Sequence, residues 1–406
     1  MLSTQEALDA VLGAARALDQ HETVDTLAAN GRVLTADVIA TLDVPPMDTS
    51  AMDGYAVRRA DLRGDETVLP VSQRIPAGHA PDPLAAGTAA RIFTGAPVPP
   101  GADAIVMQEQ CEARDDGTVV IRHTPTEGEF INRQGADIRR DSVVLAAGTR
   151  LRAPALGLAA SVGIAKLQVA RRLRVAVFFT GDELTMPGET LREGSIYNSN
   201  RFVLRGLLEN LGCQMTDYGI VPDNLAATRA ILRDAARAND LIITSGGVSV
   251  GEEDHVKPAV EAEGRLNLWQ IALKPGKPLA YGEVNRPNGQ SGETAHFIGL
   301  PGNPVSSFVT FLLFVRPFIL RLQGAANVTP RRIAMRADFT QKKADRRNEF
   351  VRARVNDQGG LEAFPNQSSA VLTSTVWGDG LIDNPPGHRI EAGQTVAFLP
   401  FSDLLY

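Results

Sequence analysis

Cysteine is nearly absent from this chain: Cys111 and Cys213 are its only two in 406 residues. So sparse a pair, far apart in sequence, excludes a disulfide framework and fits a reducing compartment. Histidine is scarce too, and His21, His79, His123, His255, His296 and His388 show no paired spacing with each other or with the cysteines. A protein-built site of soft metal ligands is thereby excluded. Aromatic residues make only 5% of the chain and the formal net charge is -6, so the chain lacks both the electrostatic footprint and the stacking platforms of a general nucleic-acid binder. Long apolar runs are missing as well. The longest, Phe308 to Val315, is far shorter than the ~20 residues that span a bilayer, and Arg316 and Pro317 follow it. The N-terminus is polar and amphipathic, with Ser3 and Glu6 spaced as a capping box, unlike a signal peptide. A cytoplasmic protein with a small ligand, no nucleic-acid partner and no membrane span is expected.

What is present is an ordinary globular balance, 44% hydrophobic and 22% charged, on a chain too long for one core of ~250–300 residues. Four units are expected. Residues 1–21 and 171–324 alternate short apolar runs with amphipathic stretches, the pattern of an α/β domain with a parallel sheet. "LRVAVFFTG", "CQMTDYGIV", "LIITSGG" and "AHFIGLPGNP" read as strands, while "NSNRFVLRGLLENLG", "NLAATRAILRDAARAND" and "VSSFVTFLLFVRPFILRLQG" read as helices. Residues 41–140, rich in Pro, Gly, Val and Thr, form a β-rich domain. Residues 22–40 and 141–170 form a linking unit, and 325–406, with the turn "NDQGG", a C-terminal β-barrel domain.

Ligands of an open parallel sheet bind outside the carboxyl ends of its strands. Three loops fit that place: "TGDEL" with Asp182 and Glu183, "SGGVSVGEED" with Ser245, Gly246, Gly247, Ser249 and Asp254, and "GLPGNPVSS", where Asn303 can cap a helix beginning at Pro304. Glycines admit close approach of an anion and helix N-termini favour negative charge, so these are candidate oxyanion cradles. The standard phosphate loop and the dinucleotide fingerprint are both absent. "LKPGKPLAYG" sets Lys274 and Lys277 on a short stiff segment, suited either to a dianion or to a solvated turn. Asp182, Glu183 and Asp254 would repel an anion unless a hard cation such as magnesium lay between, although the first two could instead cap the next helix. "SAMDGYAV" has the Asp-Gly pair of a tight hairpin, yet Ser50 to Met52 is a poor partner strand, which leaves a functional loop at Asp53 as the rival.

Taken together, "PPMDTSAMDGYAV", "FTGAPVPPGADAIVMQE", "FFTGDEL", "SGGVSVGEEDHVK", "KPGKPLAYG" and "GLPGNPVSSF" resemble the molybdopterin molybdenumtransferase family, MoeA in bacteria and the E-domain of gephyrin in animals. The resemblance covers nearly the whole chain. It implies a homodimer of elongated four-domain subunits that inserts molybdate into adenylylated molybdopterin with Mg2+ and releases AMP, in a cleft shared between the α/β domain of one subunit and the β-rich domain of the other. It implies catalytic roles for Asp53, Glu183 and Asp254, the last also as the metal ligand, and substrate contacts at Thr94, Asp137, Asp182, Ser245, Gly246, Gly247, Ser249, Lys274, Lys277, Asn303 and Pro304. A molybdopterin adenylyltransferase and apo-molybdoenzymes would be its partners. Molybdate is a tetrahedral dianion suited to fixed lysines and backbone amides, and the sulfurs that finally hold molybdenum belong to the pterin. Asn132, Gln134 and Gln270 stand where many relatives carry cations, which weakens the expected grip on an anion. Tungstate as substrate, or a carrier or scaffold without turnover, are the alternatives.

Overall fold

A computed structural model describes residues 1–247, 255–287 and 293–405, with Leu268 and Trp269 described by their backbone. Its centre is a six-stranded mixed sheet. The strands run in the order Gln214–Val221, Arg174–Thr180, Leu241–Ser245, Thr294–Leu300, Pro278–Asn285 and Gly264–Gln270. The first four are parallel and the last two antiparallel to their neighbours. Arg174–Thr180 and Leu241–Ser245 are buried along almost their whole length, which is why they read as continuous apolar runs rather than as alternating ones.

Helices cover both faces. Ser199–Asn210 is capped by the Asn198 side chain and stops before Gly212, whose φ is 70°. Leu225–Ala238 is capped by Asn224 and buries Thr228, Leu232, Ala235 and Ala236. The expected apolar helix runs from Pro304 to Leu322, with a π-helical stretch at Phe311–Val315. Pro317 stands two residues after that stretch; a proline has no N–H to give to the preceding turn, and the widened turn accommodates its ring. By length and composition this helix could cross a membrane, but 94% of its most apolar 18-residue window is buried inside the protein, so it is a core helix.

The N-terminal helix Thr4–Ala14 carries the expected capping box, with the Glu6 amide donating to Ser3 Oγ at 3.2 Å and the Ser3 amide to Glu6 Oε2 at 2.8 Å. It buries Ala7 and Val11 in the same core as Phe311, Phe314 and Phe318. That core extends without interruption to Phe350, Leu381, Leu399 and Phe401 of the C-terminal part. Around it, His21–Asp25 pairs with Lys166–Ala170 and Val38–Ile39 with Val143–Leu145, closing a small unit over Leu34, Leu151, Ala159 and Val169.

The segment 54–121 forms its own six-stranded sheet, in which Gly54–Val57 lies between Ala89–Ile92 and Ala104–Met107. Thr49–Ser50 pairs elsewhere, with Ile131–Asn132. The tight-hairpin option for Asp53-Gly54 is therefore not realised: the strands on either side of it belong to different ladders. Gly54 is required for another reason, because a Cβ there would collide with the Val106 carbonyl oxygen of the neighbouring strand. In the C-terminal part "NDQGG" does turn Asn348–Val355 back onto Leu361–Ala363. The sheet there also takes in Leu273–Lys274, paired in parallel with Asn348 and Glu349.

Gly54→Ala is expected to lower stability by at least about 2 kcal/mol, because a carbonyl in the middle of a sheet cannot withdraw without breaking its ladder. Denaturant unfolding of the full chain checks this.

Candidate active site

Three of the parallel strands, Arg174–Thr180, Leu241–Ser245 and Thr294–Leu300, are neighbours, so the loops that leave their carboxyl ends converge. Ser245 is the centre of that convergence. Its hydroxyl donates to the Pro301 carbonyl at 3.1 Å, lies 3.5 Å from Ser307 Oγ, and accepts from Asn200 Nδ2 at 2.8 Å. The same Asn200 amide donates to the Gly302 carbonyl at 2.8 Å. Asn200 thus ties the start of its helix to two glycine loops, a role invisible in sequence because its partners lie 45 and 102 residues away.

Gly246 and Gly247 have φ of 99° and 64°, and side chains there would press on Thr180 and Val256. The bare backbone is a steric requirement. Thr180 Oγ1, which a Cβ on Gly247 would approach to 2.7 Å, is buried and has no partner among the described residues. Asp182 and Glu183 follow it, both exposed and, among the described residues, without a hydrogen-bond partner for either carboxylate. Neither caps the next helix, since Asn198 does that. Ser249 and Asp254 lie outside the described residues, and among the described residues no group of three or more His, Cys, Asp and Glu is arranged to hold a metal.

Asn303 and Pro304 stand as expected at the N-cap and first position of the buried helix, but the Asn303 side chain makes no capping hydrogen bond. One free amide of that helix end is taken from the C-terminal part instead: Val305 N donates to the Ser369 carbonyl at 3.0 Å. The "KPGKP" segment packs on the same helix, because a Cβ on Gly276 would meet Thr310 Oγ1 at 2.5 Å.

The two lysines diverge. Lys274 is not available as a free cation: its ammonium lies 2.8 Å from Glu349 Oε1 and 3.3 Å from Asp345 Oδ2. Burial acts to lower its pKa, and the bonds to Glu349 and Asp345 more than reverse that, leaving it raised. It faces a cleft of about 410 Å³ lined also by Gln341, Lys343 and Phe364. Lys277 is exposed, its side chain has no partner among the described residues, and its carbonyl accepts from Ile271 N at 2.8 Å. The register Ala280↔Gly299 carries Lys277, just before Pro278, to the edge where the 299–304 loop emerges.

Asp53 and Thr94 meet in the other sheet. Thr94 donates to Asp53 Oδ1 through both its amide and its hydroxyl, each at 2.8 Å. The Asp53 carbonyl accepts from Gln108 N at 3.0 Å, and Ser50 and Gly95 or Ala96 exchange backbone bonds alongside. Arg91 completes the loop, donating to the Gly54 carbonyl at 2.8 Å and lying over the Phe93 ring at 4.6 Å. The amide and then the hydroxyl of Thr94 hold the Asp53 carboxyl below the usual range. Asp137 sits apart and exposed, on a cleft of about 550 Å³ beside Val143 and Leu158. Nearby, Gln134 Nε2 donates to Asp43 at 2.8 Å and Arg133 pairs with Asp48 at 2.6 Å, so this stretch is spent on its own carboxylates. No hydrogen bond or ion pair among the described residues joins Asp53 or Asp137 to the glycine loops of the same chain.

A family model described as a probable molybdopterin binding domain matches residues 176–321, the stretch that holds these glycine loops. The class is therefore an α/β domain of the molybdopterin-binding type. On either side, models of the MoeA N-terminal region (domains I and II) and the MoeA C-terminal region (domain IV) match residues 2–163 and 334–401. The molybdopterin molybdenumtransferase of Haemophilus influenzae is 39% identical, with all of both chains covered. Molybdopterin molybdenumtransferase 2 of Mycobacterium tuberculosis is 39% identical over 89% of this chain and 90% of its own. Among solved structures, the molybdopterin biosynthesis moeA protein of Pyrococcus horikoshii superposes with a TM-score of 0.84 at 27% identity, covering 98% of this chain and 100% of its own. The chain belongs to the molybdopterin molybdenumtransferase family, a family of transferases.

Thr94→Val removes one of the two bonds to Asp53 and keeps the other. The Asp53 pKa is expected to rise part of the way toward an ordinary aspartate, read by NMR titration of its carboxyl. The sign for stability follows from the same shift: what the pair contributes is fully present above the ordinary carboxylate range and fades as pH falls through the depressed value.

Proposed function

We propose that this protein is a molybdenum insertase of molybdenum cofactor biosynthesis, acting on adenylylated molybdopterin and molybdate and releasing AMP. The observation that carries the reading is the convergence at one sheet edge of bare glycine amides, the N-terminal end of a buried helix and the free ammonium of Lys277. Such an edge suits phosphate and oxyanion groups. Lys277, rather than Lys274, is the fixed cation for molybdate, since Lys274 already serves two carboxylates.

Asp182 and Glu183 offer hard oxygen donors that suit Mg2+, with Asp254 as the further ligand; the ion would supply charge neutralisation at the phosphoanhydride. Gly246 and Gly247 bring backbone to the phosphates without side-chain hindrance, and Ser245, held by Asn200 and Pro301, fixes the loop they belong to. Ser249 belongs to the same loop. Asp53, kept ionised by Thr94, is the catalytic carboxylate supplied by the β-rich unit. It acts on the loops of a second copy in a homodimer, with Asp137 lining the same shared cleft. Two observations support that arrangement. Among the described residues Asp53 has no bond to its own chain's glycine loops, and Leu191, Ile196, Tyr197 and Phe202, which lead into and open the helix Ser199–Asn210, are exposed apolar side chains.

The test is AMP release from adenylylated molybdopterin by purified protein with Mg2+ and molybdate, coupled to activation of a cofactor-free molybdoenzyme. Asp53→Ala is expected to lose about 100-fold or more in rate while still binding the pterin nucleotide. Lys277→Ala is expected to raise the molybdate KM about tenfold with a smaller change in kcat. Tight pterin binding with no AMP from either molybdate or tungstate would sink the insertase reading in favour of a carrier.

A further inference from the structure

The parallel strands that end at the glycine loops begin at a second cavity. Arg174 opens one strand, Asp240 immediately precedes the next and Thr294 opens the third, and all three line a cavity of about 840 Å³. Seven residues of strand separate its wall from the glycine edge, about 20 Å at the usual rise, so it is distinct from the site above.

Its floor is Asp240, whose side chain is 6% exposed. Three guanidinium groups converge on that single carboxylate. Arg171 grips it with two bonds at 2.7 and 2.9 Å, Arg174 reaches it at 3.1 Å, and Arg286 lies 3.8 Å away while donating to the Ala236 and Asn239 carbonyls at 2.8 Å each. One carboxylate balances one charge. Two more arginines stand on the wall: Arg16, with no side-chain partner among the described residues, and Arg237, held only by the exposed Asp234 at 3.5 Å. Asp19 and Glu293 are the other acids among the described residues of the lining, which sets five arginines against three carboxylates there in a protein whose net charge is -6.

Like charges gathered in a concavity repel unless an anion joins them, and planar guanidinium forks match phosphate oxygens two at a time. Among the described residues the lining holds no aromatic ring and its apolar side chains are Leu18 and Pro287, a poor grip for a base. The space lies within the ordinary range for small-ligand sites. We propose that this cavity binds the diphosphate group of a small phosphorylated ligand, with Arg171, Arg174 and Arg286 preset by Asp240 and with Arg16 and Arg237 closing on the anion from the rim. The inference does not depend on the insertase reading.

Inorganic pyrophosphate is the probe, titrated calorimetrically into the full chain at low and at physiological salt. One equivalent is expected to bind, more weakly at the higher salt, and to persist in Lys277→Ala, which reports on the glycine edge. The double variant Arg16→Ala, Arg237→Ala alters only exposed rim residues and is expected to bind at least tenfold more weakly. ADP distinguishes the source of the group: equal affinity means the diphosphate alone is recognised, and tighter affinity means a nucleotide carries it. No pyrophosphate binding, or binding that survives the rim double variant and disappears in Lys277→Ala, overturns the proposal.

Discussion

The packing of the helix Pro304–Leu322 into the core is the constraint on which the rest of the molecule depends. Its start stands at the glycine edge, its middle carries the phenylalanines of the largest core, and that core reaches into the linking and C-terminal parts. Arg316, 6% exposed, donates to the Val328 and Asp403 carbonyls, and Gln323 donates to the Leu211 carbonyl. Desolvation, reinforced by repulsion from Arg150 and Arg152, pulls the Arg316 pKa down to about 10. The charge is retained at neutral pH, and the bonds of Arg316 to two carbonyl oxygens and of Gln323 to a third hold three segments to one helix.

The same constraint explains why the site is built from remote pieces. Ser306, Ser307 and Thr310 are polar residues buried on the face that meets the glycine loops and the "KPGKP" turn. A helix free to rotate would lose these contacts together. A helix pinned along its length keeps its N-terminal end in one place, which is the preorganisation that an anion site requires.

Much of this was legible in the sequence. The strands Arg174–Thr180 and Leu241–Ser245 are buried on both faces, and helices capped by Asn198 and Asn224 announce their starts, so local pattern and final structure agree. The glycine loops were legible because positive φ leaves a compositional mark. Pairings over long separations were not. Lys274 meets Glu349 and Asp345 only because a two-residue strand joins a distant sheet, and no spacing rule conveys that. Asp53-Gly54 carries the composition of a hairpin, yet the ladder partners of its flanking strands lie at residues 131–132 and 90–107, so tertiary pairing overrode the local signal.

Leu273–Lys274 hydrogen-bonds into the C-terminal sheet while Pro278–Asn285, four residues on, lies inside the central one. The two sheets are therefore sewn together by one continuous piece of chain, and the C-terminal part is not a detachable module. Cutting the chain after the long helix would strip Leu273–Lys274 of its partner strand, leave the Lys274 ammonium without its two carboxylates and uncover Val305 N at the helix start. In this architecture the last fifth or so of the polypeptide is an integral wall of the site, and evolutionary loss or exchange of that part could not leave the α/β part unchanged.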